Sequence, residues 1–219
     1  MRDTPEAFDK LRQLARRQAP AVEHCELCST ALRNEHPHLV EVTRRQMLCA
    51  CDACALLFAG RSDAKFKRVP RDVHRLEGFH MTDAEWDGLM IPINLAFFVR
   101  NTSTSPVTAL YPSPAGATES LLTLDTWNSV VRANPVLEQL QPDVEALLVN
   151  RVGHARGAAP AEYYIAPIDR CYQLVGLIRV HWRGLSGGGT VWQEIGGFFA
   201  KLRAESDVVT NVLTEAARA

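Results

Sequence analysis

The sequence lacks a long apolar run. Hydrophobic residues make up 47% of its 219 residues, yet no segment approaches the roughly 18 consecutive apolar residues that a membrane-spanning helix requires. The N-terminal segment also lacks the apolar core of a secretory signal peptide. We therefore expect a globular, cytoplasmic protein with no membrane partner.

The sequence also lacks a strong charge of either sign. Its formal net charge is −1 and its isoelectric point is near 6.7, so no overall field draws it to nucleic acid or to an anionic membrane. Residues 61–75 are locally basic, but Phe66 is the only Phe, Tyr or Trp among them. A nucleic-acid-binding finger protein therefore remains an alternative that this composition disfavours.

Motifs of catalysis are scarce. The sequence contains no H-E-x-x-H zinc motif, and the glycines of residues 184–190 lack the Gly-Lys-Ser/Thr ending of a P-loop. Cys171 falls on the apolar face of a predicted helix, where a core position is expected, and Asp169 is predicted to cap that helix. We therefore expect a non-catalytic protein.

Five of the six cysteines lie within one short segment. A disulfide framework would spread them along the chain, and a cytoplasmic protein is not expected to hold one. The four residues Cys25, Cys28, Cys51 and Cys54 form two C-x₂-C pairs separated by 22 residues. Two such pairs supply four thiolates to a tetrahedral metal ion, so the spacing predicts a metal site at these four cysteines.

Zinc is the metal that this pattern favours, and iron of the rubredoxin type is the alternative. Rubredoxin pairs normally carry glycine after the second cysteine, whereas Ser29 and Ala55 stand there in this chain. Cys49 precedes Cys51 too closely for both to join one ion easily, and we expect it to be a spare or buried thiol. His24, His36 and His38 are expected at the surface, although replacement of a predicted ligand by Cys49 or a histidine stays open.

The chain divides into four predicted segments of α+β character. These are an N-terminal helix (1–20), a zinc-binding module (21–60), a basic linker or exposed strand and turn (61–81), and a mixed α/β-sheet domain (82–219). Within the module, residues 39–42 and 45–48 predict a hairpin, and a helix should follow Cys51 and Cys54. This order resembles the treble-clef zinc fold.

The larger domain is predicted to mix strands with helices. Thr82 and Glu85 form a capping box at a helix start, and residues 93–100 and 107–111 read as a hairpin. Residues 144–152 fit a buried strand or a helix equally well. A strand is predicted at 163–168, and helices are predicted at 125–132, 169–182 and 190–204.

A segment rich in small residues, YPSPAGATES (111–120), follows a predicted strand. Such a loop exposes polar groups and permits close approach of a ligand or partner, although a rigid connection is the alternative. The candidate binding residues of this loop are Tyr111, Ser113, Gly116, Thr118, Glu119 and Ser120.

Five stretches of the chain carry a family resemblance. They are CELC with CACDACALLF, FHMTDAEWDGLMIPINLAFFVRN, YPSPAGATES, NPVLEQLQPDVEALLVNR and YYIAPIDRCYQLVGLIRVHWRGLSGGGTVWQEIGGFFAKLR. These motifs, from about Cys25 to Arg203, resemble a bacterial family of unknown function that is associated with gene clusters of high-affinity, oxygen-tolerant uptake NiFe hydrogenases. The resemblance implies an accessory protein for such a hydrogenase.

The function expected from the sequence is therefore a non-catalytic accessory role in hydrogenase assembly or function. The protein would act through contacts with a hydrogenase subunit or a maturation factor, with a structural zinc site. A rubredoxin-like electron carrier and a nucleic-acid-binding finger protein remain the alternatives.

Overall fold

The computed structural model describes residues 22–59, 65–102, 107–120, 124–154, 157, 159–184 and 186–211. The helix predicted within residues 1–20 lies outside these ranges. Over the described residues the chain forms ten strands in two sheets, five α-helices and one 3₁₀ helix. This mixture confirms the predicted α+β class.

The smaller sheet belongs mainly to the predicted metal module. Its three antiparallel strands lie in the order β2-β1-β3, and helix α1 follows β2 in the chain. The elements are β1 (His38–Glu41), β2 (Gln46–Cys49), α1 (Asp52–Phe58) and β3 (Phe66–Arg68). The predicted hairpin and the predicted helix are thus confirmed.

The larger sheet has seven strands in the order β10-β4-β9-β8-β5-β6-β7. Neighbouring strands are antiparallel except β10 and β4, which are parallel. The strands are β4 (His74–Glu77), β5 (Leu95–Arg100), β6 (Val107–Ser113), β7 (Gly116–Ser120), β8 (Glu145–Asn150), β9 (Glu162–Pro167) and β10 (Asp207–Thr210).

Four further helices flank the larger sheet. They are α2 (Asp83–Gly88), α3 (Leu124–Ala133), α4 (Ile168–His181) and α5 (Gly188–Glu205), with the 3₁₀ helix at Pro135–Gln139. The capping box predicted at Thr82 and Glu85 is present at the start of α2. No helix in the described ranges has the length and apolar character needed to cross a membrane.

Both faces of the larger sheet are buried. Side chains alternate along each central strand, so Phe97 and Leu148 join a core cluster with α4 and α5, whereas Phe98 and Leu147 join a second cluster with α2 and α3. The sheet is therefore the middle layer of three. A strand that is buried on both faces has a nearly continuous apolar sequence, which is why periodicity left residues 144–152 undecided between strand and helix.

The segment 61–81, described above as a basic linker or an exposed strand and turn, contains two paired strands. Strand β4 hydrogen-bonds between β9 and β10, and its Leu76 is buried in the second core cluster. The basic side chains of the segment do not prevent this, because Lys67 pairs with Asp143 at 2.8 Å and Arg75 pairs with Glu77 at 3.0 Å. The backbone of β4 thus forms an inner strand of the larger sheet, while the charged side chains of Lys67 and Arg75 pair with carboxylates.

Strand β1 connects the metal module with the larger domain. Leu39 is buried in the small core of the module, and the next residue, Val40, is buried in the main core cluster with α4 and α5. The inner strand β4 also precedes residue 82 in the chain. Independent folding of residues 82–219 remains a prediction, and the shared strand indicates that the two parts stabilise each other.

The segment predicted as a binding loop is a tight hairpin. Residues of β6 and β7 pair from Ala109 and Ser120 to Ser113 and Gly116, and only two residues form the turn. The Ser113 hydroxyl donates to the Gly116 carbonyl at 2.9 Å and accepts from the Ala115 amide at 3.2 Å. The small polar residues therefore stabilise a tight turn. Because turns favour such residues, the composition of the segment resembles that of a loop.

Substitution of Gly116 should destabilise this hairpin. Gly116 has φ +129, a conformation that L side chains rarely adopt, although a β-carbon would meet no atom within 4 Å. We expect Gly116→Val to lower the free energy of unfolding by about 1–3 kcal/mol, measured by denaturant titration. The matched control is Gly196→Ala in α5, which also meets open space and should raise stability by about 0.5–1 kcal/mol. Equal stability of Gly116→Val and the wild type would show that the conformation of Gly116 is not important for this hairpin.

Candidate metal centre

The four predicted cysteines converge on one point. Their sulfur atoms all lie within 4.8 Å of one another, and the Sγ atoms of Cys28 and Cys51 are 3.7 Å apart. A tetrahedral ion with metal–sulfur bonds of about 2.3 Å requires sulfur–sulfur distances of about 3.8 Å. The cluster formed by Cys25, Cys28, Cys51 and Cys54 therefore has the size of a metal site.

The first cysteine pair lies on a tight turn. Ser29 follows Cys28 with φ 62, in the left-handed region where glycine is common, and its amide donates to the Cys25 carbonyl at 2.7 Å. The Glu26 amide donates to the Cys49 carbonyl at 3.0 Å, and the Cys49 amide donates to the Glu26 carboxylate at 2.7 Å. These bonds fasten the turn to the end of β2, beside the second cysteine pair.

The second cysteine pair begins helix α1. Cys51 is the N-cap residue, and its sulfur accepts a hydrogen bond from the Cys54 amide at 3.4 Å. Cys54 is buried one turn into the helix. The helix start therefore brings both sulfurs of the pair to one side.

The pKa values of Cys25, Cys28 and Cys54 are shifted in different directions by burial and by hydrogen bonds within the cluster. Burial raises the pKa of Cys25, but hydrogen bonds from the backbone of Cys51, Leu27 and Cys28 outweigh it, so the pKa is lowered. Hydrogen bonds to Thr30 lower the pKa of Cys28 to about 6.

The pKa of Cys54 is shifted in the opposite direction. Burial, followed by hydrogen bonds to the neighbouring thiols, raises the pKa of Cys54 to about 12. The cluster thus favours the thiolates of Cys25 and Cys28 but disfavours the thiolate of Cys54. A divalent cation would supply the positive charge that allows all four to ionise.

The candidate residues of the 111–120 hairpin do not join this cluster of sulfurs. Ser113 and Thr118 hydroxyls are 3.0 Å apart and hydrogen-bonded, and the Ser120 hydroxyl donates to the Met90 carbonyl at 2.8 Å. Glu119 lines a cleft of about 480 Å³ between the β1–β2 hairpin and the larger sheet, together with Arg44 and Arg45. A binding role of this hairpin remains a prediction, and Glu119 is the candidate that faces a cleft.

The three histidines near the cysteines are placed differently from one another. His24 is exposed, as expected, whereas His36 and His38 are partly buried and lie with Cys49 in a second cluster. From the sequence alone, Cys49 is expected to be a spare or buried thiol, and both histidines are expected at the surface. The register of the predicted β1–β2 hairpin was the available signal, because it places His38 directly opposite Cys49.

Three residues that could be taken for catalytic groups, Cys171, Ser186 and Asp169, do not form a catalytic site with one another. Cys171 is fully buried, and burial raises its pKa, which confirms a core position. Ser186 lies in the letters G-L-S-G-G of residues 184–188, which match a nucleophile elbow, but helix α4 precedes it where the elbow requires a strand. Asp169 does not cap α4, whose N-cap is Pro167, and instead contacts His38.

Comparison with protein families gives a match that covers most of the chain. The model of the family described as "Family of unknown function (DUF5947)" matches residues 24–206, a range that includes all four clustered cysteines, the smaller sheet and every strand of the larger sheet except β10. Comparison with curated proteins and with solved structures gives no match.

Loss of one clustered cysteine should remove metal and loosen the module. The module's core cluster has five buried residues, too few to hold the fold without an ion. We expect Cys51→Ser to lose about one equivalent of metal by elemental analysis and to become sensitive to limited proteolysis between residues 22 and 59. The control is Cys171→Ala, which should keep the metal. A Cys51→Ser protein with unchanged metal content would show that the ligand set is wrong.

Proposed function

We propose that this chain, which belongs to the family of unknown function DUF5947, is a non-catalytic accessory protein that docks onto a protein partner through a zinc-stabilised module. The partner we propose is a NiFe hydrogenase subunit or a factor of its maturation. The observation that carries the docking role is an exposed apolar surface on α1, directly after the metal-ligand cysteines.

Zinc is the metal we propose for the four-cysteine cluster. Four thiolates at tetrahedral spacing form a closed site, which is typical of structural zinc. The module also has the order of a treble-clef fold, because a cysteine turn, the β1–β2 hairpin and a helix that begins at the second pair follow one another. Iron would occupy the same ligands in the alternative electron carrier.

The choice between zinc and iron can be made on the purified protein. Protein from medium that contains both metals should be colourless and hold zinc in the four-cysteine cluster by elemental analysis. A red preparation with iron in place of zinc would contradict the structural-zinc proposal and support the rubredoxin-like alternative.

The docking surface lies on the outer side of α1. Leu56 and Leu57 are 76% and 74% exposed, and Phe58 is 46% exposed while its ring contacts Phe66. Three consecutive exposed apolar side chains on one short helix are unusual for a solvated surface and typical of a protein contact. We name this surface, Leu56 to Phe58, the α1 apolar patch.

The basic segment offers less support for nucleic-acid binding. Lys65 pairs with Glu41 at 3.1 Å, Lys67 pairs with Asp143 at 2.8 Å, and Arg75 pairs with Glu77. Side chains engaged with carboxylates contribute little to phosphate binding. A partner protein therefore fits the described surface better than a nucleic acid does.

The hydrogenase assignment rests on the family resemblance of the sequence motifs. Deletion of the gene in a host with such a hydrogenase should lower the hydrogenase activity, and the tagged protein should capture a hydrogenase subunit or maturation factor. Full activity in the deletion strain, with neither protein captured, would contradict the assignment.

The α1 apolar patch can be tested with one charge substitution. Leu57→Glu should lower partner capture at least tenfold, because a desolvated carboxylate opposes an apolar contact, while metal content and thermal stability stay unchanged. The control is Val180→Glu on α4, a helix residue that is 63% exposed, and this variant should keep partner capture. Equal capture by Leu57→Glu and wild type would show that the patch does not contact the partner.

A further inference from the structure

A second cluster of metal-ligand side chains lies beside the β1–β2 hairpin. One ligand atom from each of His36, His38 and Cys49 lies within 4.8 Å of the other two. His38 and Cys49 are directly opposite each other in the antiparallel pair, so their side chains share one face of the hairpin. His36 completes the cluster two residues before His38, and the two rings meet edge to face at 5.0 Å.

Hydrogen bonds orient both imidazoles for metal binding. His36 Nδ1 lies 2.9 Å from the Arg33 carbonyl oxygen, and His38 Nδ1 lies 2.8 Å from Asp169 Oδ2. A carbonyl or carboxylate oxygen accepts, so each Nδ1 carries the proton and each Nε2 keeps a free lone pair. Metal-ligating histidines show this same arrangement, in which the second nitrogen donates to a carbonyl or carboxylate.

The Nε2 atom of His36 is buried without a hydrogen-bond partner. Its side chain is only 7% exposed, and the nearest carboxylate oxygen, from Glu23, is 3.6 Å away, beyond hydrogen-bond distance. Oδ1 of Asp169 is also buried without a partner. An unpaired buried nitrogen is unfavourable, and a cation at its lone pair would relieve this while balancing the charge of Asp169.

The same residues fit a catalytic cysteine poorly. Although Cys49, His38 and Asp169 resemble a nucleophilic triad in type, Cys49 does not line the adjacent cleft of about 620 Å³, which His36, His38 and Asp169 line. A thiol that does not line the cleft is shielded from a substrate there, but it can still bind a metal ion that lies between it and the two imidazoles.

We propose that His36 Nε2, His38 Nε2 and Cys49 Sγ bind one divalent transition-metal ion of the zinc type. Two imidazoles and one thiolate suit such an ion, and the cleft leaves a fourth coordination position open to water or to a small ligand. Asp169 is a positioning residue that orients His38. This second ion is more exchangeable than the ion of the four-cysteine cluster, because three protein ligands hold it.

Cobalt titration tests the second site directly. The full-length, reduced protein, with the metal of its four-cysteine cluster retained, is titrated with Co²⁺ while released metal is measured in parallel. We expect one further equivalent of Co²⁺ to bind without metal release and to give visible ligand-field bands together with a near-ultraviolet thiolate band. The protein is first dialysed against a weak chelator that removes exchangeable metal, so any Co²⁺ that then releases an equal amount of metal belongs to the four-cysteine cluster and is subtracted.

Variants assign the added ion to these residues. His38→Gln and Cys49→Ser should each lower Co²⁺ affinity at least 100-fold, and Cys49→Ser should abolish the thiolate band. His181→Gln on α4 is the matched control and should bind Co²⁺ like the wild type. Asp169→Asn should weaken binding by about 10–100-fold while the band positions stay unchanged, as expected for a residue that hydrogen-bonds to a ligand without touching the metal.

Two results of the Co²⁺ titrations would contradict the second site. No added Co²⁺ equivalent in the wild type, or an equivalent that persists in both His38→Gln and Cys49→Ser, would overturn it. His36→Gln serves as a further ligand variant should His38→Gln unfold, which its thermal melting reveals. The result is independent of the docking role, because a protein without partner capture can still bind Co²⁺ here.

Discussion

Convergence of four thiols within a few ångströms is the constraint on which the N-terminal part of this protein depends. Among the described residues, five are buried in the core cluster of the module, so apolar burial alone does not hold it together. A cation bound by the four sulfurs would also fix the β1–β2 hairpin between the two cysteine pairs. Val40 of this hairpin is buried beside α4 and α5, so an ordered hairpin also supports the packing of the main core.

Helix α1 couples the proposed zinc site to the proposed docking surface. Cys54 and Ala55 face inward and are buried, whereas Leu56 and Leu57 point to solvent on the opposite side of the same helix. A metal ion bound by the four cysteines would therefore set the direction in which the α1 apolar patch is presented. Preorganising a contact surface in this way limits the conformational entropy that is lost on binding.

One hairpin serves two metal-ligand clusters of different character. The four-cysteine cluster would form a closed site, since four sulfurs would take all four positions of a tetrahedral ion. The cluster of His36, His38 and Cys49 adjoins a cleft and offers three ligands. A permanent ion that stabilises the fold and an exchangeable ion at its surface would divide structural and functional roles within a single small module.

Local spacing was enough to predict the cluster of four cysteines, the β1–β2 hairpin and the capping box at Thr82. Each of these features depends mainly on short sequence patterns. The strand β4 was hidden by its basic composition, and β8 by burial on both of its faces. Asp169 and His38 are 131 residues apart, so only the packing of α4 against the module could bring carboxylate and imidazole together. Sequence by itself thus determined the local chemistry, whereas the tertiary structure decided which distant groups meet, since burial and long-range contacts leave no periodic signal along the chain.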